Sequence, residues 1–180
     1  SGGSGTSGAT GKSGGSGKSG GTSGSATSGS SGGASGNVTL PPPVTGGCQG
    51  FATRYWDCCK AHCGWPGNVP GSMKPLSSCS QSNASLGGDY AAGSSCSGGG
   101  AYQCYSLSPW TVNDRLAYGF AAVPSKGDIC GRCYQLQFTG KSHNAGDDEG
   151  SKALSGKTMI VQAVNVGYDV AGGQFDLLVP

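Results

Sequence analysis

Charge, histidine and long apolar runs are all scarce in this sequence. Charged residues make up only 11% of 180 positions and there are two histidines. No apolar run approaches the roughly 20 residues that a membrane-spanning helix needs, so a membrane is excluded as a partner. The first residues lack the basic start and apolar stretch of a secretion signal, which is therefore expected to precede Ser1. The 11 Lys and Arg, for a net charge of +2, are scattered among glycines and serines. Such scatter excludes nucleic acid and anionic surfaces as partners. His62 and His143 have no Ser or Cys nucleophile setting, and no glycine motif stands between a strand and a helix to cradle phosphate.

Glycine and cysteine are plentiful instead, at 37 and nine residues. Every cysteine lies between Cys48 and Cys133, which reads as a disulfide framework made in an oxidising compartment and predicts a secreted, extracellular protein. Nine is odd, leaving at least one cysteine without a partner in this chain. A zinc site can be drawn from Cys130-Gly131-Arg132-Cys133 with Cys58, Cys59 and Cys63, but this setting favours disulfides. No metal or cofactor is expected.

Residues 1–46 are almost wholly Gly, Ser, Thr and Ala with Lys12 and Lys18, a composition that builds no core and predicts a disordered linker. Leu40-Pro41-Pro42-Pro43 stiffens its exit. A tether implies something to tether, and a second module is expected upstream of Ser1. Asn37-Val38-Thr39 and Asn83-Ala84-Ser85 fit the N-glycosylation pattern.

The folded domain is expected over 47–180. Phe51–Trp56, Cys133–Thr139, Thr158–Val164 and Phe175–Val179 read as strands by alternation or β-branching. Ser108-Pro109 followed by Val112, Leu116 and Phe120 predicts one helix, capped by Ser108. Short strands, many turns and many cysteines point to a mainly-β class and a small barrel closed by loops.

Only nine carboxylates offer acid or base chemistry. Asp147, Asp148 and Glu149 read as a solvated acidic turn, Asp114 as the polar face of the helix, and Asp89 and Asp128 as turn residues. Asp57 ends an aromatic strand and precedes Cys58 and Cys59, so two adjacent disulfides are expected to hold it. Asp176 stands in the apolar run Phe175-Asp176-Leu177-Leu178-Val179, where burial would favour a proton donor. Each also has a structural reading, Asp57 paired with Arg54 and Asp176 capping a turn. Tyr55, Trp56 and Trp65 offer flat faces for sugar rings, or for a core.

Thr53-Arg54-Tyr55-Trp56-Asp57-Cys58-Cys59-Lys60 with Cys63-Gly64-Trp65 resembles the signature of family 45 glycoside hydrolases. The likeness continues through Pro109-Trp110-Thr111-Val112-Asn113-Asp114, Cys133 to Thr139, Gly156-Lys157-Thr158-Met159 and Gln174-Phe175-Asp176. It resembles most the branch found in invertebrates and symbiotic microbes. The resemblance implies a six-stranded double-psi β-barrel and a cellulase, an endo-1,4-β-glucanase that hydrolyses cellulose or a related β-1,4-glucan with inversion as a monomer, with a carbohydrate-binding module expected upstream of the linker. It implies Asp57 as general base and Asp176 as general acid, about 6.5–9.5 Å apart across a groove. Asp169 matches an aspartate that assists the acid. Thr53, Tyr55, Trp65 and Asn165 match positions near the substrate, Trp65 as a stacking platform.

By the same resemblance Cys59 pairs with Cys96, Cys63 with Cys130, and Cys79 with Cys104. Cys58 and Cys133 match cysteines whose partners follow the position of Pro180, so the chain is expected to be a C-terminally truncated piece. Cys48 has no assigned counterpart. A non-catalytic wall-loosening protein of the expansin kind and a barwin-type carbohydrate-binding domain share the barrel and stand as alternatives.

Overall fold

The structure, a computed structural model, describes residues 39–43, 45–124, 127–144, 146 and 148–179. The expected linker up to residue 38, with Lys12, Lys18 and Asn37, lies outside the described residues, as does Asp147.

Six strands form one mixed sheet: β1 (Phe51–Tyr55), β2 (Trp110–Asn113), β3 (Leu116–Pro124), β4 (Cys133–Gln137), β5 (Thr158–Gly167) and β6 (Gln174–Leu178). Their order is β1-β6-β3-β5-β4, with β2 paired to β3. β1 runs parallel to β6 and β3 parallel to β5, while β3 meets β6 antiparallel. This is the mainly-β, double-psi architecture anticipated from the sequence.

The expected helix after Ser108 is absent. Val112, Leu116 and Phe120 are four residues apart, a spacing that suits one face of a helix and equally one face of a strand, since four is an even number. Pairing decides between them. β3 finds hydrogen-bonding partners in β2, β5 and β6, and a helix there would leave β2 without a partner and strip one edge each from β5 and β6. Gly119 inside the run also disfavours a helix, and its missing side chain makes room for Met159, whose Cε would stand 2.4 Å from a Cβ. Asp114 accordingly belongs to the tight turn between β2 and β3, not to a helix face.

The one α-helix among the described residues, α1 (Glu149–Ala153), comes from the segment read as an acidic turn. Asp148 is its N-cap, accepting hydrogen bonds from the Gly150 and Ser151 amides at 3.2 and 2.8 Å and from the Ser151 hydroxyl at 2.6 Å. Those bonds hold its carboxyl below the usual range.

The core draws on both faces of β3 and β5, where consecutive residues such as Ala121, Ala122 and Val123 or Ala163 and Val164 are buried. Leu116, Val161 and Leu178 are fully buried, and Phe175 packs against both apolar clusters. Disulfides Cys59–Cys96, Cys63–Cys130 and Cys79–Cys104, the same three pairs the resemblance implies, tie the segments outside the strands to one another. Cys48, Cys58 and Cys133 are exposed free thiols. In the proline segment, the Pro42 carbonyl accepts a hydrogen bond from Gln135 of β4 at 3.3 Å.

Candidate active site

The register of β1 on β6 assembles one half of the site. Thr53 stands opposite Asp176, and the period of two along each strand puts Thr53, Tyr55 and Asp176 on the face opposite Phe175 and Leu177. Asp176 is therefore half-exposed among polar neighbours, where the sequence had predicted burial beside Phe and Leu. Alternation explains the difference, because the apolar neighbours in sequence point the other way. Thr53 donates its hydroxyl to Asp176 Oδ1 at 2.6 Å and accepts the Gln174 amide at 2.9 Å. Since Gln174 occupies the acceptor side of the hydroxyl, the Thr53 hydrogen is directed at Asp176.

Asp57 follows the end of β1 and is exposed. Its Oδ1 accepts the Cys59 amide at 3.1 Å and the Gln103 side-chain amide at 2.8 Å, and the same Gln103 nitrogen reaches the Asp57 carbonyl at 3.2 Å. The two adjacent disulfides expected here are one: Cys59 is bonded to Cys96, whereas Cys58 is free. Hydrogen bonds to the carboxylate supply the remaining restraint. Among the described residues nothing donates to Oδ2, which is left to solvent.

Tyr55 joins the two halves. Its hydroxyl is pushed up to about 12, first by burial, against an opposing hydrogen bond from Asn165, and further by the negative charges of Asp57 and Asp176. Both carboxylates thus lie close enough to be felt by one phenol. The Asn165 amide donates to the Tyr55 oxygen at 3.4 Å, and its carbonyl accepts the His62 backbone amide at 2.8 Å. Asn165 is carried by β5 and His62 by the short helical turn His62–Gly64, so this pair fastens the loop after Asp57 to the sheet.

Trp65 and Asp169 are not brought into that network. Trp65 is half-exposed, with the Lys60 ammonium 3.8 Å from the centre of its ring. Lys60 itself is only 5% exposed and donates to the Tyr90 and Ala92 carbonyls at 2.8 and 2.9 Å. Burial lowers its pKa, against the raising effect of Asp89. Asp169 is exposed in the bend after β5, beside the fully exposed Tyr168. A Cβ at Gly167 would stand 3.1 Å from the Asp169 carboxylate and 2.2 Å from Val170, so only glycine allows that bend. Trp56 tilts against Tyr105 with ring centres 5.7 Å apart, and His143 stacks on Phe51 at 3.6 Å.

Gln103, Gln174 and Lys60 are polar anchors that reading the sequence missed. Gln103 lies between Tyr102 and the disulfide-bonded Cys104, and a polar residue flanked by framework positions is the one signal that pointed to it. Among the described residues no group of three or more metal-ligating side chains converges.

Residues 49–180 match glycosyl hydrolase family 45. The chain is 65% identical over 139 residues to Endoglucanase B of Cellvibrio japonicus (strain Ueda107), covering 77% of this chain and 27% of that protein. It is 37% identical over 147 residues to an endoglucanase of Cryptopygus antarcticus, covering 79% of this chain and 59% of the relative. The crystal structure of a cellulase from that Antarctic springtail superposes with a TM-score of 0.59 at 35% identity, covering 73% of this chain and 58% of the other. The chain thus spans between about a quarter and three-fifths of the length of these relatives.

Proposed function

Because the chain belongs to glycosyl hydrolase family 45, we propose that it is the catalytic part of a secreted endo-1,4-β-glucanase that hydrolyses internal bonds of cellulose. The observation that carries this reading is that two carboxylates flank one half-buried tyrosine, each tied through a single oxygen. Asp57 is held at Oδ1 by Cys59 and Gln103, and Asp176 at Oδ1 by Thr53. The free oxygen of each is available for proton transfer.

In this mechanism Asp57 Oδ2 takes a proton from a water as that water attacks the anomeric carbon. Asp176, protonated at its free oxygen, gives its proton to the departing glycosidic oxygen. Attack opposite the leaving group inverts the anomeric centre, and the two carboxyls exchange proton states between turnovers. Tyr55, raised to about 12, stays a neutral hydroxyl at any ordinary pH and contributes no third charge. Asn165 orients it. Trp65, held flat by Lys60, suits stacking on the apolar face of a sugar ring, and Asp169 stands on an exposed bend from which it would reach a bound chain.

Three disulfides support secretion into an oxidising medium. The family match beginning at residue 49 supports a domain that starts near 47, after a linker. Release of reducing ends from a soluble β-1,4-glucan by the full chain tests the activity. Asp57→Asn and Asp176→Asn should each abolish it, whereas swelling of cellulose fibres without reducing ends would return the wall-loosening alternative.

A further inference from the structure

We infer that Gln103 is the positioning residue of the proposed base, clamping Oδ1 and the carbonyl of Asp57 so that Oδ2 alone faces the attacking water. This rests on the reading of Asp57 given above. Gln103 is 4% exposed, and one amide nitrogen makes both contacts, at 2.8 and 3.2 Å. The orientation of its amide is settled by those partners. Turned over, its oxygen would face a carboxylate oxygen and a carbonyl oxygen at hydrogen-bond distance, with no proton between them.

In the orientation that works, Oε1 is buried and no described residue donates to it. A buried acceptor without a partner costs stability, and an apolar side chain of the same shape would avoid that cost. Packing alone therefore gives no reason for glutamine here. What glutamine supplies is a donor for Asp57, and its side chain also reaches the Tyr55 hydroxyl. Asp57 and Tyr55 are the titratable groups it meets. The main-chain contact matters as much as the carboxylate contact, since one nitrogen ties the carboxylate to the Asp57 main-chain carbonyl and so restricts rotation of the side chain. Position 103 belongs to the loop closed by Cys79–Cys104, so that disulfide anchors the clamp.

The test compares Gln103→Leu, Gln103→Glu and the unaltered full chain on carboxymethylcellulose. Gln103→Leu should lower kcat about 10- to 100-fold, as expected for a displaced reacting group, with KM within about twofold and no loss of thermal stability. Gln103→Glu keeps the shape and replaces the donor by a second carboxyl. While the pair shares one proton the hydrogen bond survives and activity should persist. When both ionise they repel and Asp57 is displaced, so the alkaline limb of the rate profile, set in the parent by loss of the acid's proton, should shift by about one pH unit or more. A purely structural Gln103 would lower the unfolding temperature and move no limb. The inference is overturned by Gln103→Leu with kcat within twofold of the parent, or by a Gln103→Glu profile that superimposes on it. Asp57→Asn is run alongside. If it keeps its activity, the base itself is misassigned and this inference goes with it. If it is inactive while the Gln103 variants behave as the parent does, only the clamp is wrong.

Discussion

Replacing Lys60 by methionine tests how the loop that carries Trp65 is held. Methionine keeps the volume of the lysine stem, so no cavity opens, and the stem contact beside Gly64, where a Cβ would stand 3.2 Å from the Lys60 chain, is preserved. What is removed is an ammonium bonded to the Tyr90 and Ala92 carbonyls and resting on Trp65. Each carbonyl left without a donor costs about 1–3 kcal/mol when buried. Both residues here are half-exposed and water takes over part of the role, which puts the pair near the lower end. The ring contact adds about 0.5–2 kcal/mol. The ammonium no longer has to be desolvated, the cause of its lowered pKa, and this takes back part of the loss. The balance is a destabilisation of about 2 kcal/mol, or roughly 6–10 °C in unfolding temperature for a domain of this size. Calorimetry on Lys60→Met, Trp65→Leu and the double variant measures it, with a coupling of about 1 kcal/mol expected between the two sites. KM for a long glucan should rise in Lys60→Met, because Trp65 loses its support. A variant as stable as the parent, with additive effects at the two positions, would refute the account of Lys60.

Removing the Cys63–Cys130 bridge by a double serine substitution should cost about 4 kcal/mol, from closure of a loop with a separation of 67 residues. Chemical denaturation measures it. His62 is held below its ordinary value of 6.5 by burial, and Asn68 offers its amide to the ring at 3.2 Å. The unfolded chain therefore binds a proton more readily than the folded one. The His62 contribution to stability is full above pH 6.5 and is lost as pH falls from there through the lowered folded value. His62→Gln should flatten that part of the stability curve, and identical slopes in the two proteins would count against the reading. Thr53→Val removes the hydroxyl that orients Asp176 and should lower kcat more than it raises KM, as steady-state kinetics on carboxymethylcellulose would show.

Strands with strong local chemistry were legible in the sequence. β1, β4, β5 and β6 each carry aromatic or β-branched alternation, and each was found within a few residues of its bounds. β2 and β3 were not, because Ala-rich β3 has little β propensity of its own and is held by partners distant in sequence. Asp57 and Asp176 stood out for their neighbours in the chain, yet those neighbours misled about surroundings: Phe175 and Leu177 face away from Asp176, and Cys58 does not hold Asp57. The true supports, Thr53, Gln103 and Asn165, come from 123, 46 and 110 residues away from the groups they touch. No local pattern encodes such contacts. The cap at Asp148 is local, but an acidic residue ahead of a five-residue helix looks like any acidic turn.

In the proposed mechanism hydrolysis is a single displacement by water, driven by Asp57 and Asp176 acting on opposite sides of one bond. Proton NMR of a soluble cello-oligosaccharide during the first minutes of hydrolysis, before the anomers equilibrate, reads this directly. New reducing ends should appear first in the α configuration. Reducing ends that appear first as β would mean retention and would contradict it.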